Sequence, residues 1–216
     1  MARTPILMNV ERVAGGTMEE PAFESLDWLR DVMAEFPNRW YVAGGWAIDL
    51  AVGRVTRPHA DVEIAILRRD QEAIRSHLTD WEFYLAVPGK RGIREPWEEG
   101  SRLELPIHEV YAASPDGTEL EILLNESTGG VWRFRRMMEI ARPLSKMGRL
   151  STIGLPYLAP EIVLLYKAKE PRAIDEEDFR VARPLLAEEA GEWLRISIDA
   201  CYPDHHWLAS FDEHVQ

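Results

Sequence analysis

Asp61 and Glu63 lie two residues apart in the run Arg57-Pro-His-Ala-Asp-Val-Glu-Ile64. Strand residues at that spacing share a face, so both carboxylates point one way while Val62, Ile64 and Ile66 point into a core. Upstream, Tyr41-Val-Ala-Gly-Gly-Trp-Ala-Ile-Asp-Leu50 reads as a buried strand, a Gly-Gly turn and a helix. A glycine pair there lets the backbone approach a ligand closely, and the helix N-terminus beyond it offers free N–H groups and a positive dipole end to phosphate. Gly44 and Gly45 are therefore candidate phosphate contacts. The acidic pair, sixteen residues after the second glycine, is a candidate holder of divalent metal.

A second strand repeats the pattern. Glu119 and Glu121 alternate with Leu120, Ile122 and Leu124, so the acids share one face and the aliphatics the other. If the two strands are neighbours, a carboxylate from each converges on one point. Asp61, Glu63 and a glutamate of this second strand would then supply three acidic ligands. Magnesium wants oxygen ligands of this kind and keeps open positions for substrate phosphates. Two such ions, about 4 Å apart, polarise the attacked phosphorus, activate a hydroxyl and neutralise pyrophosphate as it leaves.

The elements that must hold these groups follow from periodicity. Phe23, Leu26, Leu29, Met33 and Phe36 recur at helical spacing and predict a helix over roughly 19–36, stopped by Pro37-Asn38. Strand 40–43, helix 46–52 ended by Gly53, strand 61–67 and a helix near 70–78 come next. Alternation marks strands at Phe83, Leu85 and Val87, at Leu103, Leu105 and Ile107, and at Leu120, Ile122 and Leu124. The Gly, Arg, Trp and Glu-rich stretch 88–100 reads as a long exposed connection. In it, Trp97 with Glu95, Glu98 and Glu99 could wall a site for a polyamine. From Pro160, a proline at a first helical position, the pattern is helical, with segments near 176–186 and 189–198. An α/β part over 1–156 thus meets a helical region over 157–216.

Composition narrows the function. The chain has 216 residues, 46% apolar and 29% charged, with a net charge of −12. Such acidity argues against nonspecific nucleic-acid binding and suits a cationic partner. Without a run of about 18 apolar residues or a secretory leader, neither a membrane span nor export is expected, and the cytoplasm is the expected compartment. The lone Cys201 excludes an intramolecular disulfide and a cysteine-based zinc cluster.

Gly44-Gly45-Trp46-Ala47-Ile48-Asp49, then Gly53-Arg54-Val55-Thr56-Arg57, His59 and Asp61-Val62-Glu63 resemble the nucleotidyltransferase superfamily in the form carried by aminoglycoside 2''- and lincosamide nucleotidyltransferases. The resemblance implies an α/β (α+β) fold, a mixed sheet flanked by helices with a helical C-terminal region. It also implies an acceptor hydroxyl attacking the α-phosphorus of ATP or another nucleoside triphosphate. By it, Gly44 and Gly45 touch the triphosphate, Asp61 and Glu63 hold magnesium, Glu121 is the third acid at the position of a general base, with Glu119 or Asp116 as alternatives, and Arg57 and Lys167 lie near the nucleotide. Relatives usually carry Asp where this chain has Glu63, and commonly where it has Glu121. His59 could orient its loop or bond Asp61. Lys167 and Lys169 could instead complement a helix dipole. The acceptor that the resemblance implies is a small-molecule hydroxyl compound, such as an aminoglycoside. A protein AMP-transferase of toxin-antitoxin type and a catalytically inactive nucleotide-binding homologue are the alternatives.

Overall fold

The computed structural model describes residues 23–90 and 92–212, so the first part of the expected N-terminal helix lies outside the described residues. Helix α1 spans Asp27–Met33 and buries Leu29 and Met33. Strand β1 (Trp40–Val42) leads into α2 (Gly44–Val52), and β2 is Glu63–Leu67. Helix α3 (Gln71–His77) is followed by β3 (Glu82–Ala86), β4 (Arg94–Pro96), β5 (Glu109–Ala113) and β6 (Glu119–Thr128). Strands β7 (Val131–Phe134), β8 (Met137–Pro143), β9 (Gly148–Leu150) and β10 (Pro156–Leu158) complete the sheet. Helices α4 (Pro160–Lys167), α5 (Ala173–Ala182), α6 (Glu188–Cys201) and α7 (Ala209–Asp212) close the described chain.

The sheet is mixed, in the order β4-β3-β5-β6-β2-β1-β10-β9, with the β7–β8 hairpin carried on the far end of β6. Strands β2 and β6 run parallel at its centre, and β1 pairs antiparallel to β2. Ile64, Ala65, Ile66 and Leu67 are all buried, as are Leu120, Ile122 and Leu124, which is the continuous apolar content expected of central strands. Among the described residues no helix is long and apolar enough to cross a membrane.

Four sequence expectations change. Helix α2 opens at Gly44 itself, two residues earlier than expected, because glycine accepts the φ of +56° found there. Strand β2 starts at Glu63, so Asp61 sits in the preceding connection, where its carbonyl accepts a hydrogen bond from the Trp46 indole at 3.0 Å. The 103–107 alternation is not a strand: Pro106 has no N–H to give a ladder, and the Leu103 N–H goes to the Gln71 side chain at 2.6 Å. The strand begins at Glu109 instead. Finally, the 88–100 stretch carries β4, and Trp97 is only 3% exposed. Its ring packs edge-on against Phe83 at 5.7 Å with Arg75 over it at 4.9 Å. Trp97 is therefore part of the core and cannot wall a ligand site.

Candidate active site

Register builds the site. Glu63 pairs with Glu121 across the parallel β2–β6 ladder, and Tyr111 of β5 pairs with Glu121 on the other side. Paired residues project from the same face, so Glu63, Glu121 and Tyr111 stand side by side, with Glu109 two residues from Tyr111 on that face. The ladder continues through the Glu121 N–H, which donates to the Val62 carbonyl at 3.0 Å. The Ala43 N–H donates to the Glu63 carbonyl at 2.8 Å, bringing the start of α2 against β2. A Cβ on Gly44 would overlap the Glu63 carboxylate, and one on Gly45 would run into Arg57 and His59. The two glycines thus have different tasks. One clears room for an acid, the other for the loop behind the helix.

A cavity of about 350 Å³ opens over this face, with Gly44, Glu63, Glu109 and Glu121 on its acidic side. Arg135, Arg136, Lys167 and Arg172 give it a basic side. Asp61 is exposed and borders an adjoining cavity of about 480 Å³ that Glu121 also reaches. Burial, then the neighbouring Asp61 charge, pushes the Glu63 carboxyl up to about 7. Burial, then Glu63, pushes Glu121 up to about 9. This is an acidic face with more buried negative charge than its cations offset. Among the described residues no three acid, histidine or cysteine side chains already form a closed cation site. The carboxylates are adjacent yet open, which fits a hard cation that takes its remaining oxygens from phosphate.

The other expected residues are placed as follows. Lys167, at the end of α4, lines the cavity and bridges Asp175 at 2.7 Å and Asp178 at 2.9 Å. Arg57 is not among the cavity-lining residues; it grips Asp178 through Nε and Nη2, both at 2.9 Å. His59 bonds Asp49 at 2.6 Å rather than Asp61, and packs against Trp46 at 4.2 Å between ring centres. The Thr56 N–H also donates to Asp49, at 3.1 Å. This buried polar set pins the loop after Gly53 to α2 and α5, which indirectly fixes Asp61. Of the alternatives for the third acid, Glu119 is held by Arg94 at 2.8 Å and Asp116 lies in the turn before β6, bonded to Ser114 and Thr118.

Several cavity residues escaped the sequence reading. Glu109 lies just past the strand expected at 103–107; its signal is the alternation Glu109-Val110-Tyr111-Ala112. Arg172 pairs with Asp175 at 2.8 Å. Burial would raise the Asp175 carboxyl, but hydrogen bonds from Arg172 and Lys167 hold it well below the usual carboxylate range. Arg135 and Arg136 form the tip of the β7–β8 hairpin.

The like-charge crowding has a consequence for stability. Glu121 has its folded-state pKa above the ordinary value of 4.5, so in the absence of divalent metal its burial costs stability progressively as pH rises from that value towards 9. Glu121→Gln removes the cost. At pH 8, in a chelator, we expect the variant to be more stable by about 1–3 kcal/mol, a rise on the order of 5 °C in Tm. At pH 4 the two proteins should melt together. A variant no more stable than wild type at pH 8 would show that the carboxylate is not uncompensated.

Solved structures share this fold. ANT(2")-Ia in complex with adenylyl-2"-tobramycin matches with 18% identity and a TM-score of 0.53, over 80% of this chain and 93% of that one. The lincosamide antibiotic adenylyltransferase LnuA, lincomycin-bound, matches with 14% identity and a TM-score of 0.53, over 76% of this chain and 98% of that one. At these identities the likeness is one of fold. No curated protein matches the chain in sequence. The aminoglycoside-2''-adenylyltransferase family model, however, matches residues 26–181. That span is well over half of the chain, and it carries the glycine pair, the acidic pair and Glu121: the protein belongs to the aminoglycoside-2''-adenylyltransferase family.

Proposed function

We propose that this protein transfers a nucleoside monophosphate, most simply AMP from ATP, to the hydroxyl of a small molecule. The observation that carries this reading is the in-register pairing of Glu63 with Glu121 beside the glycine-opened end of α2. Asp61, Glu63 and Glu121 would hold magnesium, which supplies charge neutralisation to the triphosphate and the leaving group. The free N–H groups at the start of α2 receive phosphate oxygens, with Gly44 allowing the backbone to come close. Lys167 and Arg172 sit where they offset negative charge near Glu63. Arg57 acts from behind, holding Asp178 and thereby Lys167.

In the transfer, the acceptor oxygen forms a bond to the α-phosphorus and the bond from that phosphorus to the bridging oxygen breaks. Pyrophosphate leaves with the bond's electron pair. The hydroxyl proton would pass to Glu121 in its ionised form, the state that a bound cation favours. Positioning and electrostatics carry most of the rate, because phosphoryl chemistry asks little covalent work of the protein. The sheet and α2 would form the catalytic unit, and the helices from Pro160 onward would close its nucleotide side.

The test is pyrophosphate release from ATP and magnesium across a panel of hydroxyl compounds, including aminoglycosides and lincosamides. Acceptor-dependent release that stops in chelator is the expected result. Nucleotide binding without release for any acceptor, cell extract included, would support an inactive homologue instead.

A further inference from the structure

Arg94 belongs to β4, the exposed strand at the edge of the sheet, yet its guanidinium reaches the acidic face. Register accounts for this. Arg94 pairs with Ala86; Tyr84, two residues before Ala86, pairs with Tyr111, which in turn pairs with Glu121, so all five residues project from one face. Crossing over β3, the Arg94 guanidinium lies 3.5 Å from the centre of the Tyr111 ring and donates from Nη1 to Glu119 of β6 at 2.8 Å. An aromatic face beside a carboxylate is a seat for any guanidinium or ammonium group. Here the chain's own cation fills it.

The cavities around this seat differ in charge. Where Gly44 meets Glu63, the cavity carries Arg135, Arg136, Lys167 and Arg172, a wall suited to phosphate. The adjoining cavity of about 480 Å³ is the reverse: Asp61, Glu119 and Glu121 line it with Trp28 and Tyr111, and among the described residues Arg94 is the one arginine or lysine on its wall. Arg94 and Tyr111 also line a further cavity of about 1170 Å³. The Arg94 side chain is thus a partition between two spaces. Its hold is weak, because the Arg94 and Glu119 side chains are 38% and 59% exposed, and ion pairs and cation–π contacts that water reaches contribute little. Arg57, whose partner Asp178 is fully buried, is a fixed pair by comparison.

Resting on the transfer reading above, we propose that Tyr111 and Glu119 seat an ammonium group of a cationic acceptor, and that Arg94 is the resident competitor which the acceptor displaces. One incoming charge merely replaces the one that leaves. An acceptor with several ammonium groups keeps a net gain from the field of a protein with a net charge of −12, so Arg94 selects for polycations.

Calorimetry with tobramycin as the polycationic probe tests this, first alone and then in magnesium and α,β-methylene ATP. R94A should bind tobramycin about fivefold or more tighter than wild type, because one exposed ion pair and one cation–π contact no longer compete. A merely structural role predicts the opposite sign, since loosening β4 would weaken the site. R94K, which keeps the charge, should stay within about twofold of wild type. R94A/E119Q and R94A/Y111L should each give back most of the gain, as the open seat loses its carboxylate or its ring. The proposal is overturned if R94A binds tobramycin no tighter than wild type, if R94K gains as much as R94A, or if either double variant keeps the whole gain. Failure of the transfer reading looks different: wild type would show no magnesium-dependent binding of α,β-methylene ATP, while tobramycin titrated alone would still separate R94A from wild type.

Discussion

Glu63→Gln is expected to lower the rate of pyrophosphate release by about 10³-fold, because losing a metal-holding charge forfeits several kcal/mol of transition-state stabilisation and each 1.36 kcal/mol is tenfold. The substitution removes a charge and almost no volume. Since Glu63 is half-buried with its carboxyl raised to about 7, the variant should fold at least as well as wild type without metal. Asp61→Asn should act in the same direction, although Asp61 is more exposed. A Glu63→Gln protein that turns over normally would remove Glu63 from the metal and leave the close approach of Gly44 without a catalytic purpose.

Gly44→Ala is expected to damage both the fold and the chemistry. The residue sits at φ +56°, and its new Cβ would overlap the Glu63 carboxylate. The left-handed backbone alone costs roughly 1–2 kcal/mol, and displacing Glu63 adds the loss of turnover argued above. Gly53→Ala is the matched control. Gly53 also has positive φ, at +84°, but nothing lies within 4 Å of its would-be Cβ. Thermal melts should show both variants destabilised, whereas pyrophosphate release should collapse only in Gly44→Ala. Equal turnover in the two would mean that the close approach of Gly44 to Glu63 has no catalytic weight.

The acidic face was legible in the sequence because strand periodicity is local: acid and aliphatic residues alternate with the same sense around Glu63 and Glu121, and a period of two needs no tertiary information. Their pairing could only be an inference from shared parity, since the partners are far apart in the chain. The basic side was hidden for a related reason. Arg57 meets Asp178 across 121 positions, and no local pattern marks such a contact. Arg135 and Arg136 sit on a hairpin that was not anticipated, so their side of the cavity had no scaffold. Trp97 was misplaced because a tryptophan among glutamates looks solvated, yet its indole finds the Ser101 carbonyl at 2.8 Å and its ring finds Phe83. An amphipathic side chain takes whichever side the neighbouring strand offers.

The most direct measurement is anomalous diffraction from crystals grown with manganese, as a stand-in for magnesium, and α,β-methylene ATP. A manganese peak contacted by the Glu63 carboxylate and by phosphate oxygens, with Asp61 or Glu121 completing the protein ligands, is the predicted result. A nucleotide bound elsewhere, or a metal that touches none of these three acids, would contradict the account.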